Sequence, residues 1–121
     1  MVICLLLYML QVNKMANWAL KRIFQAMHSD IVDNVNPNLI MDALLLKEVI
    51  SSEDHYEVSK VAIRRVRCKK LLSHLDQSLH PQAFIYLRLA LLDKYSWIVD
   101  NIDEQLLHKL YLGKSTDGKL L

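Results

Sequence analysis

The pattern of apolar positions along this chain is typical of α-helices. The first clear stretch predicts a helix over residues 17–35, because its apolar side chains recur every three or four residues and so share one face. The positions on that face are Leu20, Ile23, Met27, Ile31 and Val35, widened by Phe24 and Val32. The helix is expected to end at Asn36-Pro37-Asn38, since proline lacks an amide hydrogen and disfavours a helical residue before it.

Two shorter helices are predicted next. The second covers about residues 39–47, and Asn36 or Asn38 is expected to cap it. Its inward positions are Ile40, Leu44 and Leu45. Ser51 or Ser52 is expected to cap a short third helix, because a serine hydroxyl accepts hydrogen bonds from the first free amides of a helix.

The fourth predicted helix is strongly basic. Residues 60–70 carry six basic side chains and no acidic one: Lys60, Arg64, Arg65, Arg67, Lys69 and Lys70. Since the whole chain has a formal net charge of +2, the rest of it carries −4. Lys60, Arg64 and Arg67 follow an i, i+4, i+7 spacing, which predicts a stripe facing solvent. Reversing the charges of Arg64 and Arg67 is therefore expected to leave stability nearly unchanged. The inward positions are Val61, Cys68, Leu72 and Leu75.

Two more helices complete the pattern. Ser78-Leu79-His80-Pro81 interrupts the basic helix, and the proline suits the first turn of a fifth helix. Its inward positions are Ala83, Phe84, Leu87, Ala90 and Leu91. A sixth helix is predicted from about Tyr95 to Gly113, and its inward positions are Trp97 or Ile98, Ile102, Leu106 and Leu110. Side chains expected to fill the core include the methionines, Trp18, Trp97 and Phe84.

Composition supports one all-helical domain. The chain has 121 residues, 53% of them hydrophobic, with only two glycines and two prolines. Such a chain is long enough for one core but too short for a catalytic domain with a second module. We expect a leader at residues 1–16, a helical domain at residues 17–111 and a tail at residues 112–121. The apolar start is too short to cross a bilayer and lacks the features of a secretory signal. With Cys4 and Cys68 as reduced thiols, we expect a cytoplasmic protein.

No arrangement of residues indicates catalysis or a bound cofactor. The five histidines are scattered, and none accompanies a serine or cysteine in a nucleophile setting: His28, His55, His74, His80 and His108. Gly113-Lys114-Ser115 resembles the end of a phosphate loop, but His108 stands where the first glycine is required. We therefore expect no enzyme activity, no cofactor and no metal.

Three motifs in order resemble the caspase-recruitment domain (CARD), a helical bundle of the death-fold superfamily. They are Leu44-Leu45-x3-Val49-Ile50-Ser51-x-Glu53-Asp54, Arg64-Arg65-x4-Lys70-Leu71-Leu72-x2-Leu75 and Pro81-x-Ala83-Phe84. The resemblance covers about residues 18–107 and implies a six-helix antiparallel bundle with Greek-key topology. Family members often have glycine where this chain has Glu48 and His80. The sister death, death-effector and pyrin domain families are the alternatives.

The resemblance also implies how the domain binds. CARDs pair a basic face, from the first and fourth helices, with an acidic face from the second and third. The basic face of this chain would comprise Lys21, Arg22, Arg64, Arg67 and Lys70. The acidic face would comprise Asp42, Glu48, Glu53, Asp54 and Glu57. The implied function is homotypic recruitment of a CARD-containing protein, such as a caspase or its activating scaffold, in apoptotic or inflammatory signalling. A homotypic oligomer of this chain is a further possible partner.

Two alternatives give the chain other partners. The first is a small helical nucleic-acid-binding protein that uses the basic helix of residues 60–70. Only Ser59 and Ser73 flank that helix with groups able to read base edges, so phosphate contacts alone would be nonspecific. The second is a membrane-attached regulator that uses residues 2–12. The sequence favours neither nucleic acid nor membrane over a protein partner.

Overall fold

The structure is a computed structural model that describes residues 2–108, with side chains from Lys14 onward. This part of the chain contains seven α-helices, one short 3-10 helix at Pro37–Leu39 and no strand. The helices are α1 (Val2–Ala26), α2 (His28–Asn34), α3 (Met41–Leu46), α4 (Ser52–Ser59), α5 (Arg64–Asp76), α6 (Ala83–Leu92) and α7 (Ser96–Leu107). The prediction of an all-α bundle is confirmed.

The first predicted helix is two helices that meet at Met27. There φ is −97° and ψ is 14°, outside helical geometry, although the backbone hydrogen bonds on either side of the break are kept. The apolar face continues through the break, since every residue predicted to lie on it is buried. This break gives seven helices where periodicity indicated six. The predicted start near Asn17 is wrong, because α1 begins at Val2.

Side-chain caps define the two helices that follow. Asn36 accepts a hydrogen bond from the amide of Asn38 at 3.1 Å, and so begins the 3-10 helix that precedes α3. Ser51 Oγ accepts from the amide of Asp54 at 3.0 Å at the start of α4. Both residues were among the predicted caps. The second predicted helix is shorter than expected, because Leu39 belongs to the 3-10 helix and Ile40 to a turn, so that α3 begins at Met41 and ends at Leu46.

The basic helix begins later than predicted. Helix α5 starts at Arg64, while Lys60 follows the end of α4 and lies outside any helix. Lys60 therefore cannot continue a stripe with Arg64 and Arg67. Val61 is also outside α5 and is only half-buried, whereas Cys68, which was predicted to face inward, is fully buried.

One core draws on all seven helices. α1 packs against α6 and α7, α2 against α5, and α3 against both α4 and α6. Phe84 is buried as predicted, and its ring lies 5.8 Å from that of Phe24. The prediction that both tryptophans fill the core is wrong: Trp18 is 63% exposed and Trp97 is 56% exposed. Apolar character alone did not separate them from their buried neighbours, because each lies next to positions of the apolar stripe.

The corner after α3 holds the one non-glycine residue with positive φ among those described. Glu48 has φ of 60°. Its amide donates to Leu45 O at 3.0 Å, and the amide of Val49 donates to Leu44 O at 2.9 Å. These two bonds form the Schellman motif, whose left-handed residue is usually glycine. The glycine that the CARD resemblance implies at this position would suit this backbone geometry, which the chain adopts with a glutamate.

Replacing Glu48 with glycine is expected to raise the free energy of unfolding by about 0.5–1 kcal/mol, because glycine adopts positive φ without a Cβ clash. Urea unfolding followed by circular dichroism measures the change. Glu48→Ala is the matched control, since it removes the same carboxylate but keeps a Cβ. Equal stabilisation by both variants would assign the gain to the lost charge and contradict a backbone origin.

Cys68 is a buried thiol of the core. Its Sγ lies 3.8 Å from Ile31 O, and burial raises its pKa from the ordinary 9.0 to about 11, against the opposing charges of Arg64 and Arg67. A raised pKa means that the folded state favours the protonated thiol. This contribution to stability is complete below pH 9 and is lost as the pH rises through about 11.

In a Cys4→Ser variant, Cys68 is the remaining thiol. It is expected to react with Ellman's reagent at pH 8 at least tenfold more slowly than in urea, because the thiolate is both buried and disfavoured. Stopped-flow absorbance measures the rate. A folded protein that reacts as fast as the unfolded chain would contradict the buried position.

Candidate interaction surface

Helices α4 and α5 form an antiparallel pair that separates charge along its length. Asp54 lies 3.5 Å from His74, and Glu57 lies 3.6 Å from Lys70. Residue numbers therefore increase along α4 in the direction in which they decrease along α5. The acidic first turn of α4 therefore lies beside the end of α5, while the arginine-rich start of α5 lies beside the end of α4. The two predicted faces meet at the Glu57–Lys70 contact.

Arg64 closes the end of α2. Its Nη1 donates to the carbonyls of Val32 and Val35 at 3.0 and 2.9 Å, and its Nη2 donates to that of Asp33 at 3.0 Å. The last carbonyls of a helix have no amide partner within that helix, so a cation with several donors satisfies them well. Arg64 thus joins α5 to α2, and its role is first of all structural.

Arg67 also bonds to the backbone. Its Nη1 donates to Val61 O at 3.0 Å and to Ala62 O at 3.2 Å, which ties down the segment before α5. Its Nε is buried and has no hydrogen-bond partner within the described part of the chain. The expectation that Arg64 and Arg67 form a stripe open to solvent is therefore wrong, because both guanidinium groups bond to carbonyls of their own chain.

The other predicted basic residues differ in their exposure and in their bonds within the chain. Lys21 Nζ donates to Asp76 O at 3.1 Å and is half-buried, whereas Arg22 is exposed with its guanidinium carbon 5.6 Å from the centre of the Trp18 ring. Lys70 and Lys60 both pair with Glu57, with Nζ-to-carboxylate distances of 3.6 and 3.8 Å respectively. Of the five, Arg22 is the one whose side chain is exposed and bonded to no backbone carbonyl in the described region.

The predicted acidic residues lie around the α3–α4 corner. Asp42 contacts His55 Nε2 at 2.9 Å across that corner while its own side chain is 90% exposed. Glu48 is exposed at the left-handed position, and Glu53 is exposed in the first turn of α4. Neither glutamate has an ion-pair partner within residues 14–108. These two carboxylates are therefore free to meet a cation from outside.

An open depression of about 650 Å³ adjoins this acidic corner. It lies between residues 48–54 and the connection from α5 to α6, where Ser78 Oγ donates to Val49 O at 3.4 Å. Leu79 stands at its edge and is 98% exposed. The acidic corner thus offers an aliphatic side chain beside its carboxylates, which periodicity did not reveal because Leu79 lies outside every helix.

Two ion pairs with structural roles were not predicted. Arg65 of α5 pairs with Asp33 at the end of α2. Arg88 of α6 binds Asp103 of α7 through two hydrogen bonds of 2.7 Å. Hydrogen bonding to this carboxylate raises the pKa of Arg88, although burial opposes the rise. Because the partners of each pair lie on different helices, no local sequence pattern indicates the pairing, and only the structure shows it.

Residues 14–108 contain no group of three side chains placed to hold a metal ion. Within residues 2–108, no helix has both the length and the apolar character that a membrane crossing requires.

Comparison with known families identifies the class of the protein. The model of the caspase recruitment domain family matches residues 21–105. Because this match covers well over half of the chain, the protein belongs to the CARD family. Its all-α bundle is accordingly a death fold, and the family is one of protein-interaction domains rather than enzymes. Neither the search of curated proteins nor the search of solved structures found a match.

Arg64→Lys is expected to lower the free energy of unfolding by about 1.5–3 kcal/mol, because an ammonium cannot reproduce three hydrogen bonds from a planar guanidinium. Thermal and urea unfolding measure the loss. Lys69→Ala is the matched control on the same helix, since Lys69 is exposed, and it should change stability by less than about 0.5 kcal/mol. Equal stability of the two variants would contradict the structural role of Arg64.

Proposed function

We propose that this chain is a recruitment module that binds a CARD-containing partner by homotypic pairing of charged faces. The partner would be a caspase or its activating scaffold, and the process would be apoptotic or inflammatory signalling. Membership of the CARD family supports a protein-interaction role. The observation that carries the proposed mechanism is the antiparallel α4–α5 pair, which holds its acidic and its arginine-rich ends apart.

The proposed basic face is Lys21, Arg22, Arg64, Arg67 and Lys70, and the proposed acidic face is Asp42, Glu48, Glu53, Asp54 and Glu57. The contacts of these residues suggest that some set the electrostatic potential of a face and that others contact the partner directly. Arg64 and Arg67 are fixed by backbone carbonyls and contribute positive potential from defined positions. Arg22 and Lys69, an exposed cation on α5 that we add to the proposed basic face, can reach a partner. On the acidic face, Glu48 and Glu53 play the corresponding part.

The energetics favour assemblies over isolated pairs. An exposed ion pair contributes only about 0.2–1 kcal/mol, so a few such pairs give weak and salt-sensitive binding. Several copies engaged together convert weak contacts into high avidity. A contact between two different faces is heterologous, so it propagates into a ring or filament instead of closing as a pair. Recruitment would thus concentrate the partner on a growing assembly.

We also propose that the protein acts in the cytosol. Cys68 is a free thiol within the core, which suits a reducing compartment.

Exchanging one charge on each face tests the proposal. Glu53→Lys and Lys69→Glu are each expected to weaken assembly about tenfold or more, because like charges then meet at the contact. Both side chains are exposed and have no ion-pair partner within residues 14–108, so folding should be preserved. Light scattering measures self-assembly, and pull-down against a panel of purified caspase and scaffold CARDs measures recruitment.

Mixing the two variants is the decisive arm, since the altered faces are complementary and assembly should return. Asp93→Lys at the end of α6 is the control, because that exposed residue belongs to neither face and its reversal should leave recruitment intact. Unchanged assembly by both single variants would contradict the proposal. Binding of plain duplex DNA with a steep salt dependence, lost on Lys69→Glu, would support the nucleic-acid alternative instead.

A further inference from the structure

Both tryptophans of the chain lie on the surface, on two helices that pack against each other. Trp18 on α1 is 63% exposed and Trp97 on α7 is 56% exposed. Tryptophan is rare on surfaces that meet only water and is enriched at the centres of protein interfaces. Neither residue belongs to the proposed basic or acidic face, so recruitment does not account for them.

The outward side of α1 combines its tryptophan with positive charge. Lys14, Trp18 and Arg22 are spaced four residues apart and all three are exposed; we call them the α1 strip. The guanidinium carbon of Arg22 lies 5.6 Å from the ring centre of Trp18, so the cation and the aromatic face act as one unit. Neither cation has an ion-pair partner within residues 14–108.

The outward side of α7 combines its tryptophan with negative charge. Trp97, Asp100 and Glu104 follow spacings of three and four and are exposed; we call them the α7 strip. Asp103 on the same helix is bonded to Arg88, whereas Asp100 and Glu104 have no ion-pair partner in the described region. Each strip therefore combines one exposed tryptophan with two charged side chains that have no ion-pair partner within residues 14–108. The charges are positive on the α1 strip and negative on the α7 strip.

We propose that these strips join two copies of this chain as a symmetric dimer. Because α1 and α7 pack against each other, we take their outward sides to form one continuous surface. Such a surface is complementary to itself: a two-fold axis sets the α1 strip of each copy against the α7 strip of the other. An interface of this kind is isologous and closes at two copies. It goes beyond the propagating contact of the recruitment faces because it closes at two copies, although Arg22 belongs to both surfaces.

The test uses a Lys69→Glu background, so that stacking through the recruitment faces does not contribute to the measured mass. In that background the dimer is expected to form at high micromolar concentration. Sedimentation equilibrium should give a mass that stops at two copies. Trp emission should shift to shorter wavelength over the same concentration range, since both tryptophans become buried.

Two double variants then test charge complementarity. Asp100→Lys with Glu104→Lys makes both strips basic, and Lys14→Glu with Arg22→Glu makes both acidic. Each variant alone should self-associate at least tenfold more weakly, and an equimolar mixture of the two should form a heterodimer. Because all four positions are exposed, circular dichroism should show both variants folded.

Three results would overturn the proposal. They are a monomer up to about 1 mM, a mass that grows beyond two copies, or double variants that dimerise as well as the parent. None of them decides the recruitment mechanism, which is tested separately by the Glu53→Lys and Lys69→Glu variants.

Discussion

The hydrogen bonds from Arg64 to the end of α2 are the constraint on which the arrangement of this bundle depends. The break at Met27 limits α2 to seven residues, and without Arg64 its last carbonyls would lack side-chain partners within residues 14–108. One guanidinium satisfies three of them and fixes where α5 begins relative to α2. The neighbouring Arg65–Asp33 pair adds a second tie at the same junction. The position of α5 then sets that of α4, and with it the separation of the acidic and basic ends.

The sequence predicted the helical class, the apolar faces and the caps, because these depend on neighbours within one turn. The break at Met27 was not predictable, since the apolar stripe runs through it unchanged. The roles of Arg64 and Arg67 were missed for a different reason. Periodicity places Arg64 on a polar side of its helix. It does not show that the carbonyls of Val32 and Val35, 32 and 29 residues earlier in the chain, lie within hydrogen-bond distance on that side. The exposed tryptophans show the same limit, since hydrophobic character does not reveal which side of a helix finds a neighbour.

The candidate surface was predicted by resemblance more than by pattern. The CARD motifs indicated which helices and which charged residues would form the faces. The structure shows which of those residues bond within the chain and which are exposed without an ion-pair partner among residues 14–108. Glu48 illustrates the difference. Its exposed carboxylate suits an acidic face, yet its backbone occupies a conformation that glycine adopts more easily. If Glu48 belongs to the proposed acidic face, a charged side chain there would sacrifice stability for negative potential, a compromise common where proteins bind other molecules. The predicted domain bounds at residues 17 and 111 stay a prediction.

Under the proposed charged-face pairing, the contact between Glu57 and Lys70 would affect how the protein discriminates among partners. An incoming carboxylate that approaches Lys70 must displace one already present, so the event is an exchange between two similar bonds and its net free energy is close to zero. Selectivity cannot then reside at the middle of the α4–α5 pair. It would shift to exposed charges that have no ion-pair partner within residues 14–108, such as Glu48, Glu53 and Arg22, and a relative that lacked Glu57 would bind more strongly but discriminate less.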